Sequence, residues 1–260
     1  MKIALCFYGL VGSTNFKHGM GDSLDPNLCA EYYKKNFFEC NSNIDIFIHS
    51  QSYDFRNELN KIYKPCKSVI EKNKNFFLQA LIHPQVLLSL LGSLKRFDFK
   101  FKHFREKHKM TKNAFSRWYS TKSVIKLKKT YEEKNKINYD LVFLTRLDWV
   151  FLKPLILNED MKNKLTVSNH NDVPSPRNNY KSKIMKNNLT NQKGLADYWF
   201  IGGSDILDSF ARLYDRKYLY PISPHKSSYQ HVKYLKLNLS FFTYRGIDHE
   251  MYRRIMKSDQ

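Results

Sequence analysis

The run YDLVFLTRLDWVFLKPL, residues 139–155, constrains this chain more than any other stretch. Leu141-Val142-Phe143-Leu144 is apolar and rich in branched and aromatic residues, the composition of a buried strand. Its character changes abruptly at Thr145-Arg146-Leu147-Asp148. A second apolar run, Trp149-Val150-Phe151-Leu152, then continues until Lys153-Pro154 stops it. In extended chain, side chains two residues apart project to the same side, so Arg146 and Asp148 make a cation–carboxylate pair where a buried strand leaves its sheet. Open α/β sheets bind ligands at that place. An ion pair that only caps the strand end accounts for the same residues.

The rest of the chain supplies partners for that strand. Residues 2–8, 44–48 and 68–71 read as strands, and 165–168, 195–203 and 240–244 as further ones. Helices are expected at 26–38, with Asp25 as cap and Pro26 in the first helical position, and at 114–135, 204–214 and 227–237. Ser204 is the expected cap of the third, and a last helical turn is expected from His249. A chain of 260 residues with this alternation predicts one α/β domain with a mainly parallel central sheet, the strand ending at Thr145 near its middle.

Three segments carry other signals. Gly9-Leu10-Val11-Gly12-Ser13-Thr14 follows the first strand, and its glycines and hydroxyls would let backbone N–H groups approach a phosphate; a plain turn explains it as simply. Residues 76–112 form a helical insert, strongly apolar over 77–94 and then alternating aromatic and basic in KRFDFKFKHFREKHK. Residues 169–194 are polar, too long for an ordinary connection, and suit a lid that orders over a bound ligand.

Charge narrows the partners. The chain carries a net charge of +20, and residues 94–136 hold 15 Lys/Arg against four Asp/Glu. A/T-biased coding, which favours Lys and Asn, produces such a balance without a partner. A basic and aromatic stripe otherwise suits an anionic membrane surface, a phosphorylated glycolipid or nucleic acid. No apolar run reaches 18 residues, so no spanning helix is expected. MKIALCFYGLVGS reads as a first strand and not as a signal peptide, since no small-residue cleavage site follows it. Four cysteines without C-x-x-C spacing suit reduced thiols and a cytoplasmic chain, placed at most at the inner face of a membrane.

Five pieces, taken in order, resemble a group of bacterial and viral proteins of the glycosyltransferase-A type found among capsule and lipopolysaccharide synthesis genes. They are KIALCFYG, IDIFIHS, FSRWYSTKSVIKLKKTYEEKNKINYDLVFLTRLDWVF, LADYWFIGGSDILDSFARLY and SSYQHVKYLKLNLSFFTYRGIDHEMYRRI. The resemblance implies a Rossmann-like glycosyltransferase-A fold and transfer of a sugar from a nucleotide-sugar donor to a glycan or glycolipid acceptor. It implies donor contacts from Tyr8, Gly9, Gly12, Ser13, His49, Tyr119, Lys122, Arg146 and Asp148, with Ser116 beside them, and an acceptor-facing base at Asp197. Many glycosyltransferase-A enzymes carry Asp-x-Asp where this chain has Arg146-Leu147-Asp148. A divalent cation, Mn or Mg, would then rest on Asp148, with His249 as a late ligand. The competing reading is a nonenzymatic basic module on nucleic acid or an anionic surface. It explains the charge but leaves Arg146, Asp148 and Asp197 without a role, so nucleic acid is the less favoured partner.

Overall fold

The computed structural model describes residues 1–11, 25–95, 101–169 and 194–252. Its strands are β1 (Ile3–Gly9), β2 (Ile44–Ser50), β3 (Lys67–Ile70), β4 (Leu141–Arg146), β5 (Trp149–Phe151), β6 (Leu165–Val167), β7 (Trp199–Gly202), β8 (Leu239–Phe241) and β9 (His249–Met251). Seven of them form one sheet in the order β3-β2-β1-β4-β7-β6-β8. The pairs β1–β2, β1–β4, β2–β3 and β6–β8 are parallel, whereas β7 runs antiparallel to both β4 and β6. The sheet is thus mainly parallel, with β4 fourth of seven and completely buried over Leu141-Val142-Phe143-Leu144. An α/β, Rossmann-like architecture follows.

Alternation along the strands sorts the core into two layers. Ile3, Leu5, Phe7, Leu141 and Phe143 face α1 (Pro26–Tyr33) and α2 (Arg56–Tyr63), meeting Cys29, Tyr33, Leu59 and Tyr63. Ala4, Cys6, Tyr8, Val142 and Leu144 face α5 (Lys102–Asn135) and α6 (Ser204–Ala211), meeting Ala114, Trp118, Val124, Ile125, Leu207 and Phe210. Two short helices, α3 (Phe77–Leu81) and α4 (Pro84–Lys95), pack on α5, and α7 (Pro224–Leu235) packs on α6.

Several expectations meet their residues directly. Asp25 caps α1, its Oδ1 accepting from the Asn27 N–H at 2.8 Å, with Pro26 in the first turn. The helix continues as a π-turn, Lys34–Phe38. No disulfide joins any of the four cysteines to another. No helix among the described residues is long and apolar enough to cross a membrane.

Other expectations are corrected. The helix expected at 114–135 begins at Lys102, so the basic residues from 102 onward form its first turns. Gly203, not Ser204, caps α6, because the Ser204 hydroxyl donates to Glu132 instead. A side chain at Gly203 would meet the Lys162 carbonyl at 2.6 Å, which explains the glycine. The segment from His249 is a strand, pairing antiparallel with β5 in a separate two-stranded sheet. The expected lid at 169–194 lies, save its end residues, outside the described residues.

Candidate functional site

Strand order reverses between β1 and β4, since β2 and β3 lie to one side of β1 and β4 to the other. The carboxyl ends at such a switch point leave a crevice that α/β proteins use for ligands. Register aligns His49 with Tyr8 and Tyr8 with Arg146, so one row on the α5 side of the sheet carries an imidazole, a phenol and a guanidinium. β1 ends at Gly9 with φ +95°, a left-handed conformation that favours glycine. The Gly9 carbonyl accepts from the Ser50 hydroxyl at 2.8 Å.

β4 leaves the sheet through a tight turn at Leu147-Asp148. Backbone bonds hold this turn on both sides, from Leu147 N–H to the Tyr8 carbonyl at 3.2 Å and from Tyr252 N–H to the Asp148 carbonyl at 3.0 Å. Within it Arg146 donates to Asp148 as a fork, Nε to Oδ1 at 2.7 Å and a terminal nitrogen to Oδ2 at 2.6 Å. Asp148 is 1% exposed. Burial alone would lower the Arg146 pKa, but the Asp148 carboxylate overcomes it and the pKa is raised.

A second pair lies across from the first. Arg117, half-buried on α5, makes an ion pair with Oδ2 of the buried Asp197. Burial and the nearby Arg146 guanidinium pull Arg117 down to about 10, so the two cations sense each other. Tyr8 lies between them: its hydroxyl donates to the Asp197 carbonyl at 3.2 Å, and burial raises its pKa against the pull of both arginines. On its other side Asp197 lies 3.2 Å from His225 Nδ1, at the start of α7, and that nitrogen also lies 2.7 Å from the Leu195 carbonyl. Beyond this, Tyr198 stacks on Trp149 with centroids 4.2 Å apart and planes within 8°. Arg245 spans both rings and donates to the Tyr198 hydroxyl at 3.1 Å and to Glu250 at 2.9 Å. Two guanidiniums, each held by its own carboxylate, and an aromatic stack therefore converge at the switch point.

The remaining expected residues divide. His49 and Tyr119 come together around Glu71, at 3.3 Å and 2.9 Å from its Oε1, with Lys74 on the Tyr119 hydroxyl. Burial drives the His49 pKa down to about 4. Ser116 accepts from Gln51 at 3.3 Å. Lys122 instead pairs with Asp215 on the surface and does not join Arg146. Gly12 and Ser13 lie outside the described residues. Arg117, Trp149, Tyr198, His225 and Arg245 were not expected. Arg117 had a legible signal, since it falls on the buried stripe Ala114, Trp118, Thr121, Val124, Ile125 of its helix.

The residues expected to hold a divalent cation do not fit one. Both Asp148 oxygens take the Arg146 fork. Both His249 nitrogens are engaged: Nδ1 accepts from Trp149 Nε1 at 3.1 Å and Nε2 donates to Ser168 at 2.9 Å, whose hydroxyl passes on to the Asn169 carbonyl. Burial lowers the His249 pKa to about 3, which fixes it as a neutral structural imidazole. Among the described residues no group of three or more His, Cys, Asp or Glu is placed to hold a metal ion.

No protein-family model matches the chain, and no curated protein matches it. The resemblance of the five sequence pieces therefore stands without a family match.

Proposed function

We propose that the chain is a glycosyltransferase of the glycosyltransferase-A type, moving a sugar from a nucleotide-sugar donor to a glycan or glycolipid acceptor. The observation that carries the reading is the pair of guanidiniums, Arg146 and Arg117, converging at the β1–β4 switch point. Supporting it is a seven-stranded, mainly parallel sheet with an antiparallel strand beside β4.

Transfer breaks the bond between the anomeric carbon and the diphosphate oxygen, whose electron pair leaves with the nucleoside diphosphate. A bond forms from an acceptor hydroxyl to that carbon, and the hydroxyl proton goes to a base. Charge building on the diphosphate is stabilised by cations already in place. Arg146, kept in one orientation by Asp148, presents to phosphate the terminal N–H groups that Asp148 does not take. Arg117 is the mobile partner in this reading: it turns from Asp197 toward the arriving diphosphate. Losing its guanidinium makes the Asp197 carboxylate a better proton acceptor, because a nearby cation is what favours the ionised form. Asp197, with His225 beside it, then takes the acceptor proton. No step passes through a metal.

The test is nucleotide release from a panel of nucleotide sugars in the presence of EDTA. One donor should be turned over, and Arg146→Lys should slow it about 100-fold. No turnover of any donor, with steeply salt-dependent binding of nucleic acid instead, would favour the basic module and overturn the reading.

A further inference from the structure

Helix α4 is packed the reverse of an ordinary surface helix. Its inner side, against α5, holds Val86, Ser89 and Ser93, with the two serines 6% and 5% exposed. Its outer side carries Leu87, Leu88, Leu91 and Leu94, of which Leu88 is 68% exposed. Those positions, spaced by one, three and three residues, share one face of a helix. Leu78 and Ile82, on and just after α3, are exposed as well, at 73% and 59%. Single exposed leucines are ordinary, but a helix that buries serines and presents a row of leucines has its apolar face toward something other than its own core.

The platform is firmly held. His108 Nε2 lies 3.0 Å from the Phe77 carbonyl and fixes α3 to α5. His83, buried between α3 and α4, bonds the Tyr220 carbonyl at 3.1 Å. The outward leucines are thus a fixed feature of the fold.

Charge selects the occupant. Lys95 ends α4, and Lys102, Arg105 and Lys109 are exposed on the first turns of α5, where Glu106 is the one exposed carboxylate. A second copy of a chain with net charge +20 would bring the same basic rim against this one. A leucine face bordered by lysines and arginines matches instead the boundary of an anionic bilayer, where apolar side chains enter the acyl layer and cations meet headgroup phosphates. We infer that the outer face of α4, with the exposed residues of α3 and the basic start of α5, docks this protein peripherally on anionic lipid bilayers. This surface is independent of the sugar-transfer reading, and either can fail alone.

Sedimentation with vesicles tests it. The full chain should bind mixed phosphatidylcholine–phosphatidylglycerol vesicles, bind phosphatidylcholine alone far less, and lose affinity as salt rises. The double variant Leu88→Asp with Leu91→Asp should lower partitioning about 100-fold or more. Its melting temperature should hold, because both side chains already face water. Lys109→Glu alone, which reverses one charge, should cost at least about fivefold. Failure to bind anionic vesicles, or equal binding by the folded double variant, overturns the inference. So does a wild-type dimer that the double variant converts to monomer, which would make the occupant a second copy.

Discussion

Replacing Asp148 by Asn separates a fastened ion pair from a metal ligand. Asp148 is 1% exposed and accepts two bonds from Arg146, whose side chain is 15% exposed. Asn can accept only one of the two, and its NH₂ would face the guanidinium. Breaking a buried pair on one side costs about 3–5 kcal/mol, since the remaining charge stays desolvated. Because some water reaches Arg146, the lower end applies, about 3 kcal/mol. For a chain of this size that lowers the melting temperature by roughly 6–12 °C. Calorimetry on wild type and variant reads the shift, with far-ultraviolet circular dichroism to confirm that both fold. An unchanged or raised melting temperature would show that Arg146 does not need Asp148 in the free protein, and the carboxylate would again be available to a cation.

Two other perturbations probe parts of the same fold. Lys128 is fully buried and pairs with Glu132 at 2.8 Å and Asp208 at 2.6 Å, close to Ser204. Lys128→Met strands two carboxylates and should cost about 3–5 kcal/mol in urea unfolding. Nucleotide affinity should not change, because Asp208 follows the end of β7 that pairs with the start of β4. The pH dependence has a definite sign. His49, His231 and His249 are buried neutral, with pKa values lowered to about 4, 4 and 3 from 6.5. Between pH 6.5 and about 4 the unfolded chain binds more protons than the folded one. Their stabilising contribution is therefore complete above pH 6.5 and falls on acidification, by at most about 1.4 kcal/mol per pH unit for each histidine. Urea midpoints across that range, with His249→Phe lowering the slope, check it; flat stability would contradict it.

The strand skeleton was legible because burial on both faces leaves an unmistakable apolar run, as at 141–144. The cap at Asp25 was legible because its chemistry is local. The pair Arg146–Asp148 was also read correctly as a pair, although a turn and not an extended strand brings the two together. Arg117 and Lys128 were readable in principle, as cations on the inner stripe of α5, but a basic helix hides two buried cations among many solvated ones. The start of α5 at Lys102 was obscured by the alternation of aromatic and basic residues, which reads as the end of a helical insert and not as the first turns of the next helix. Trp149 on Tyr198, His225 beside Asp197 and Arg245 across both rings depend on contacts between distant segments, and no local spacing announces them. His249 failed as a ligand for a tertiary reason, the indole and hydroxyl that take its two nitrogens.

The central claim is that the Arg117–Arg146 cluster binds the diphosphate of a nucleotide sugar without a metal. The most direct measurement is the melting temperature against a series of nucleoside diphosphates in EDTA, for wild type and Arg117→Lys. At 100 times its dissociation constant a bound nucleotide adds about 2.7 kcal/mol. That predicts a rise of roughly 5–11 °C for one member of the series, much reduced in Arg117→Lys. No rise with any nucleoside diphosphate, or a rise that requires added manganese or magnesium, would contradict it.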